Sequence, residues 1–157
     1  MSHEPNWLRE KRELAMNLID RLPNPKYGLH IDLDQFLYEA KKWYEVGIID
    51  DLPPEIRRIV NRMSVPGRNP NIQIDADIVY REYKKNIPNG VIIESVEDAV
   101  KKYSYLKDYW FKAIPISLNK LVAINAAYSR GGFFVHVKEG RRLRTPIQIC
   151  FLVASSK

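Results

Sequence analysis

The sequence has few of the residues that build disulfides, metal sites or membrane spans. Its 157 residues include one cysteine, Cys150, and three histidines. A lone cysteine excludes an internal disulfide and any metal site made of cysteines alone. No apolar run approaches the roughly 20 residues that a transmembrane helix needs. The first residues carry charges with no apolar stretch behind them, so they do not form a secretory signal peptide. We therefore expect a cytoplasmic protein.

Positive charge is only slightly in excess over negative charge. Lysine and arginine number 25 against 19 aspartates and glutamates, which gives a formal net charge of +6. Such a balance favours anionic partners without requiring them, and most often it reflects a solubilising surface. Hydrophobic residues make up 45% of the chain, which is enough for the core of one domain or of two small units.

The first 66 residues have the periodicity of helices. One helix is predicted over residues 5–22, with Leu8 and Leu14 on its apolar side and Arg12 on its polar side. A second is predicted from Asp32, a good N-cap, to the natural stop at Gly47. A third begins at the proline pair at 53 and 54. Its apolar stripe consists of Ile56, Ile59, Val60 and Met63.

A loop rich in proline and glycine at residues 64–71 separates this helical segment from the remainder. After it, apolar and polar residues alternate over 72–78, which predicts one strand, and residues 80–85 have the composition of a short helix. We therefore expect an α+β protein with two parts. An amino-terminal helical segment occupies residues 1–66, and a mixed helix–strand unit occupies residues 72–157.

The last third of the chain begins with a strand and two helices. Residues 91–93 predict a short apolar strand after the turn signal at Asn89-Gly90. Ser95 then caps a helix whose first acidic residues complement the helix dipole. A second helix is predicted over 118–128. Its residues are mostly small and apolar, so we expect it to be buried.

Two strands complete this third of the chain. Ser129-Arg130-Gly131-Gly132 ends the preceding helix. Its two glycines reach backbone angles that other residues avoid, so the chain can turn directly into a strand. Strands are predicted over 133–137 and 147–153. The last strand is apolar on both faces except at Gln148, so we expect cover on both sides.

This order of elements and these residue patterns resemble the amino-terminal region of the SufB/SufD family, which scaffolds iron–sulfur cluster assembly. The resemblance is carried by Gly90-Val91-Ile92-Ile93, Ala123 to Ala127, Gly131-Gly132, Phe134, Val137, Gly140 and Pro146-Ile147-Gln148. These residues resemble a "GVIF" strand, a "KFAALNAA" helix, a "GGSFIYVPKG" strand and turn, and a "PLQAYF" strand. Each piece is short, and their specificity comes from order and spacing over roughly 65 residues.

The resemblance implies a non-catalytic scaffold or adaptor in a cytoplasmic complex. Its implied partners are a SufC-like ABC-type ATPase and a SufB/SufD-like subunit. In that family the cluster-related residues and the ATPase-binding segment lie in a right-handed β-helix core and in carboxy-terminal helices. Neither lies within residues 1–157, so we expect no cofactor on this chain alone, although the family context is an iron–sulfur cluster. The last residues are expected to lead into the start of a β-helix-like sheet. A fragment, a truncated homologue and an independent adaptor all remain open.

Two side chains that could bind a metal or react as nucleophiles have structural explanations. His136 lies in a predicted strand, where the family usually has an aromatic residue, and no second histidine or cysteine has metal-ligand spacing to it. Cys150 lies between apolar neighbours, where burial raises the pKa of a thiol and makes it unreactive. The glycine pair at 131 and 132 lacks the lysine and hydroxyl residue of a phosphate-binding loop. We therefore predict no catalytic and no metal site, and no enzyme.

Four arginines form the candidate contact for an anion or a partner. They are Arg130, Arg141, Arg142 and Arg144. Arg142 and Arg144 alternate with Leu143, so we expect them on one face of a strand. Charged side chains also protect a sheet edge from unwanted pairing, which is the commoner role. Both interpretations remain open, since the family typically has fewer arginines here.

A small basic nucleic-acid-binding domain is the alternative function. The net charge favours it, as do Arg57, Arg58 and Arg62 on one predicted helix and nine tyrosines able to stack on bases. Against it, no recognised binding motif is present and the tyrosines recur at core spacing. We therefore expect only weak, salt-sensitive binding to nucleic acid.

The last strand is the candidate self-association surface. One side of it carries Ile147, Ile149, Phe151 and Val153, and the other carries Cys150 and Leu152. An open apolar strand is a template for pairing with another chain. We expect a homodimer through this strand, most simply two-fold, or a partner with its own sheet edge.

Overall fold

A computed structural model of the chain describes residues 4–28, 32–33, 42–65, 70–85, 87–144 and 146–154. The chain divides into two compact units, each made of two stretches. One unit is Met1–Glu39 with Glu97–Ser129, and the other is Ala40–Val96 with Arg130–Lys157. These units do not coincide with the predicted segments 1–66 and 72–157, whose standing as domains stays a prediction.

The predicted α+β class is confirmed by the described helices and strands. The α-helices are α1 (Asn6–Ile19), α2 (Pro54–Met63), α3 (Val96–Lys102) and α4 (Lys120–Tyr128). Short 3-10 helices lie at Ile49–Asp51, Glu82–Lys85 and Ser104–Asp108. The strands are β1 (Asn71–Ile74), β2 (Asp77–Tyr80), β3 (Val91–Ser95), β4 (Phe133–Val137) and β5 (Ile149–Leu152).

Small residues let α1 and α4 of the first unit approach each other closely. Ala15 of α1 is fully buried against Ala126 and Ala127 of α4, with Ile19 and Phe111 packed around them. The helix predicted over 118–128 is therefore confirmed from Lys120 onward, but only one side of it is buried, since Leu121 and Tyr128 are exposed. The Asn119 side chain caps it by accepting a hydrogen bond from the Val122 N–H at 3.0 Å.

Arg12 has a different role from the predicted one on the polar side of α1. Its guanidinium donates hydrogen bonds to the carbonyl oxygens of Ala127 at 2.9 Å and Ser129 at 2.8 Å. It also pairs with Glu4 at 3.1 Å. A cation at the carboxyl end of a helix complements the dipole, so Arg12 ties α1 to the end of α4. Leu14, predicted on the apolar side, is more than half exposed.

The second unit contains two small sheets. A three-stranded sheet has the order β2-β1-β5, with β1 antiparallel to β2 and parallel to β5. A two-stranded antiparallel sheet pairs β3 with β4, so that Val91 lies opposite Val137 and Ser95 opposite Phe133. The predicted strands at 91–93 and 133–137 are confirmed. The β-helix-like continuation stays a prediction.

The single strand predicted over 72–78 is wrong, because the chain makes a hairpin there. Asp75 takes a φ of +50°, and with Ala76 it forms the two-residue turn between β1 and β2. Aspartate tolerates this left-handed conformation better than most residues. Apolar alternation continues through the turn in the sequence, so periodicity alone does not reveal it. The helix predicted over 80–85 is reduced to the 3-10 helix Glu82–Lys85, since Tyr80 ends β2.

The core of the second unit lies between α2 and the three-stranded sheet. Leu52 and two residues of α2, Ile56 and Val60, pack with buried residues of β1 and β2. Half of the helix predicted over 32–47, residues 34–41, lies outside the described residues. Its last part is wrong, since residues 42–46 have no helical structure and the Val46 N–H donates to the Val79 carbonyl at 2.8 Å.

A glycine corner connects the two sheets of this unit. Gly131 has a φ of +75°, and a Cβ there would lie 2.5 Å from the Ala76 carbonyl oxygen. The buried Gln73 side chain of β1 accepts a hydrogen bond from the Gly132 N–H at 2.7 Å. It also donates to the Asp75 carbonyl at 2.8 Å. Only glycine permits this approach, which fixes where β4 begins.

Candidate functional site

A basic groove lies where β3 begins and β4 ends. The antiparallel pairing of these strands brings the turn before β3 next to the turn after β4. The groove has a volume of about 640 Å³. Its lining consists of Pro88, Asn89, Val91, Gly140, Arg141, Arg142, Leu143 and Arg144. Three of the four arginines predicted to contact an anion or a partner therefore come together here.

Gly90 makes room for the Arg141 side chain in this groove. It has a φ of +85°, and a Cβ at Gly90 would lie 2.8 Å from Arg141 Cγ and 3.2 Å from its Cδ. The aliphatic stem of Arg141 therefore lies against a backbone that has no side chain of its own. The Lys138 N–H donates to the Gly90 carbonyl at 3.0 Å, and the Arg141 N–H donates to the Lys138 carbonyl at 3.0 Å. These bonds hold the arginine segment beside β3.

The charge of the groove is not neutralised within the described chain. Arg141, Arg142 and Arg144 are exposed, and none of them forms an ion pair with a described residue. Glu139 is exposed in the same turn but does not line the groove. Clustered like charges raise the local positive potential, so the groove attracts anionic groups.

The strand face predicted for Arg142 and Arg144 is wrong. Residues 141–144 have no regular structure, and β5 begins only at Ile149. Strand pairing ends at Val137, and Gly140 follows in a turn with a φ of +71°. Arg130 lies before β4, at the other end of that strand, and does not line the groove.

The predicted self-association strand is the edge strand β5. Among the described residues it pairs on one side only, with β1. The carbonyl oxygens of Gln148 and Leu152 accept hydrogen bonds from that neighbour at 2.9 and 2.8 Å. Successive residues of a strand direct their backbone groups to opposite edges. Ile149 and Phe151 therefore direct their N–H and C=O groups away from β1, toward an edge that no described residue pairs.

The two faces of β5 differ in exposure. Phe151 is 59% exposed, and Val153 just beyond the strand is 91% exposed. Ile147 and Ile149 are half-buried, whereas Cys150 on the opposite face is buried. The predicted cover on both faces is therefore wrong for the described part of the chain. One face packs inward. On the other, the Phe151 ring lies 6.3 Å from the Phe133 ring, centroid to centroid, and stays largely exposed.

Cys150 is a buried thiol on the inner face of β5. Burial raises its pKa above the ordinary value of 9.0, and a hydrogen bond from the Gln148 side chain opposes the shift. The thiol is therefore protonated at neutral pH and poorly nucleophilic. His136 lies opposite Ile92 in the β3–β4 pair. Within the described ranges, no group of three or more histidine, cysteine or acidic residues is arranged to hold a metal ion.

Gln148 has a structural role that sequence reasoning missed. Its side-chain amide donates to the Met63 carbonyl at 2.8 Å, and its oxygen accepts from the Val65 N–H at 3.0 Å. These bonds satisfy backbone groups at the end of α2, where a helix leaves carbonyl groups without partners. A polar residue within an otherwise apolar predicted strand is the sequence signal for such side-chain hydrogen bonds.

The comparisons with known proteins point to one family. The family described as "SufBD protein N-terminal region" matches residues 17–149. An iron–sulfur cluster assembly SufBD family protein of Staphylococcus epidermidis (strain RP62A) is 27% identical over 167 residues, which cover 99% of this chain and 36% of the relative. One from Mycobacterium tuberculosis (strain H37Rv) is 28% identical over 170 residues, covering 96% of this chain and 19% of the relative.

The chain belongs to the SufBD family. The iron–sulfur cluster assembly protein SufB of Bacillus subtilis (strain 168) is 25% identical to it over 173 residues, which cover 99% of this chain and 36% of that protein. The resemblance stated from the sequence is thus confirmed. The chain spans about a third of the staphylococcal and Bacillus relatives and less of the mycobacterial one.

The residues that carry the SufBD resemblance lie in helices, strands and turns of the second half of the chain. The "GVII" residues begin β3, the "AINAA" residues lie in α4, and the glycine pair forms the corner before β4. The segment from Pro146 to Gln148 leads into β5. No described helix has both the length and the apolar character to cross a membrane.

Proposed function

We propose that this chain is a non-catalytic scaffold or adaptor part of a SufB/SufD-like iron–sulfur cluster assembly complex. The observation that carries the proposal is the match of residues 17–149 to the amino-terminal region of SufBD proteins. The names of the relatives attach cluster assembly to proteins that contain this region. Since those proteins are longer, we assign the assembly chemistry to the complex and not to these residues.

The proposed complex contains a SufC-like ATPase and a SufB/SufD-like subunit and works in the cytoplasm. We assign the chain no cluster of its own, because its one cysteine and three histidines lie at positions 150, 3, 30 and 136, scattered along the sequence and without the spacing of metal ligands. The buried thiol of Cys150 supports this, since a metal ligand must be a thiolate and burial raises the pKa of this thiol.

Co-expression with the ATPase and the paired subunit of the same source tests the partners. With an affinity tag on the ATPase, we expect the untagged chain to co-purify in a complex that survives size exclusion. An unrelated tagged ATPase is the control. A chain that elutes alone in every combination contradicts the proposed partners.

Anaerobic reconstitution with iron and sulfide tests the absence of a cluster on the isolated chain. We expect no visible absorption band from an iron–sulfur chromophore. A stoichiometric cluster that disappears in Cys150→Ser contradicts the proposal and indicates a cluster shared between chains.

We also propose that the open edge of β5 pairs with another strand. The exposed Phe151 and the outward backbone groups of Ile149 support this, because an unpaired edge is a template for strand addition. A second copy related by a two-fold axis is the simplest partner for the isolated chain. In the complex, the sheet edge of a neighbouring subunit serves the same purpose.

A further inference from the structure

We propose that the basic groove at Arg141, Arg142 and Arg144 is a docking site for an acidic peptide segment of a partner protein. The proposal goes beyond the assembly role and does not depend on which complex the chain serves. Its starting point is the charge of the lining, which contains three guanidinium groups and no carboxylate. Because no described carboxylate pairs with them, these groups are available to a ligand.

The groove is preorganised by the framework of the fold. Arg141 crosses Gly90 with its stem against the backbone, so its guanidinium starts from a restricted set of positions. Two backbone hydrogen bonds close the turn that carries Arg141. The Lys138 N–H donates to the Gly90 carbonyl, and the Arg141 N–H donates to the Lys138 carbonyl. Binding therefore orders fewer side-chain torsions than it would at a free arginine on a mobile surface.

The remaining lining suits a peptide. Pro88 and Leu143 provide apolar surface next to the charges. Val91 is 7% exposed and is anchored in β3, and Leu143 is half-buried. Guanidinium groups bind carboxylates with paired hydrogen bonds, while apolar surface accepts the intervening side chains. A segment that alternates acidic and apolar residues meets both requirements.

The same observations disfavour other anions. Single-stranded nucleic acid is usually held by aromatic side chains that stack on the bases, and no aromatic side chain lines the groove. Free phosphate is usually cradled by several backbone N–H groups. Here the N–H groups of Val91, Lys138 and Arg141 are already bonded to carbonyl oxygens of the turns. These three N–H groups are therefore not free to cradle a small anion.

Fluorescence anisotropy with a labelled peptide tests the proposal. The probe is a short Glu- and Asp-rich peptide with interspersed leucines, and the comparison probe has Gln and Asn in place of the acids. We expect the full chain to bind the acidic probe at least about tenfold more tightly than the neutral one. Replacing all three arginines by glutamine is expected to remove this preference.

Two further variants keep the test specific. Arg130→Gln makes the same type of substitution, with the loss of one charge instead of three, at an exposed arginine outside the groove, and we expect it to leave affinity within about twofold of the parent. The triple change of Arg141, Arg142 and Arg144 to lysine keeps the charge but loses the paired hydrogen bonds. It should retain only part of the affinity. Thermal unfolding verifies that each variant is folded.

Three results would overturn the proposal. The first is equal binding of the acidic probe by the parent and the triple glutamine variant. The second is tighter binding of single-stranded DNA than of the acidic peptide, lost in the same triple variant, which would make the groove a nucleic-acid site. The third is full displacement of the peptide by inorganic phosphate at a concentration where chloride of equal ionic strength has no effect.

Discussion

The two sheets of the second unit differ in how deeply they are buried. All four residues of β1 in the three-stranded sheet are buried, whereas no residue of β4 in the two-stranded sheet is. The three-stranded sheet packs against α2, and β1 and β2 supply four of the seven buried residues of that apolar cluster. The two-stranded sheet, in which three residues of β3 are buried, carries the basic groove at its end. The core against α2 and the basic groove therefore belong to different sheets.

Side-chain hydrogen bonds strengthen the same contrast. The Asp75 carboxylate accepts from the Trp43 indole N–H at 2.9 Å and from the Ala154 N–H at 3.0 Å. These bonds, with those of Gln73 and Gln148, surround the three-stranded sheet and link distant parts of the chain to it. Buried polar groups that are satisfied in this way favour one arrangement over its competitors.

Removing core volume should have the largest effect. Ile74→Ala leaves a cavity beside α2, because Ile74 is fully buried, and we expect a loss of about 3–4 kcal/mol in the free energy of unfolding. Val135→Ala in β4, where the side chain is 39% exposed, should cost less than about 1 kcal/mol. Urea unfolding followed by circular dichroism measures both. Equal losses would contradict the contrast between the sheets.

Changing the glycine corner should have the next largest effect. Gly131→Ala places a Cβ 2.5 Å from the Ala76 carbonyl oxygen at a positive φ, and we expect a loss of about 2–3 kcal/mol in the free energy of unfolding. Gly140→Ala is the matched control, since its φ is also positive but a Cβ there meets nothing within 4 Å. It should cost only about 1 kcal/mol of backbone strain. A difference near zero would mean that the corner relaxes freely.

A charge on the open edge of the buried sheet should weaken self-association. We expect the parent chain to be dimeric and Ile149→Lys to raise the dissociation constant at least about tenfold. Ile59→Lys makes the same change at a residue of α2 that is 45% exposed, and it should leave the dimer intact. Size exclusion coupled to light scattering measures the mass. A parent that stays strictly monomeric at high concentration would defeat the self-pairing proposal.

Ionisation of Cys150 on the inner face of β5 should have the smallest effect on the free energy of unfolding, and only at alkaline pH. Burial raises the pKa of Cys150, so the native state holds the thiol proton more tightly than the unfolded chain does. The resulting stability is present in full below the unfolded-state pKa and is lost as pH rises toward the native-state pKa.

This pH dependence is measurable against Cys150→Ala. From neutral pH to well above 9.0, the ordinary value of the thiol, we expect the free energy of unfolding of the parent to fall relative to that of the variant. The slope should be no steeper than about 1.4 kcal/mol per pH unit. Parallel curves for the two proteins would show that the thiol is as accessible in the native state as in the unfolded one.

Local sequence patterns predicted a helix or strand correctly where that element depends mainly on its own residues. The small apolar residues of α4, the glycine pair and the apolar runs of β3 and β4 predicted elements that the structure confirms. They were insufficient at the β1–β2 hairpin, because the apolar alternation runs through Asp75 and Ala76 without a break. They also failed for Arg12, whose polar character suggests solvent while its guanidinium caps a distant helix.

The candidate site was predictable only in part for the same reason. The arginines at 141, 142 and 144 stand out in the sequence, but their supposed strand face depended on an alternation that Gly140 ends. Nothing local connects Arg141 with Gly90, which lies about 50 residues earlier. Their contact depends on the antiparallel register of β3 and β4.

The sequence by itself determined the family, the α+β class, the order of elements in the last third and the scarcity of metal ligands. These properties follow from residue types and from short-range periodicity, which act within a few residues of one another. Only the tertiary structure decided that β1 lies between β2 and β5, that β5 has an open edge, and that three arginines line one groove with Gly90 beneath. Such properties depend on pairings between distant residues, whose stability comes from burial and hydrogen bonds that exist only once the chain has folded.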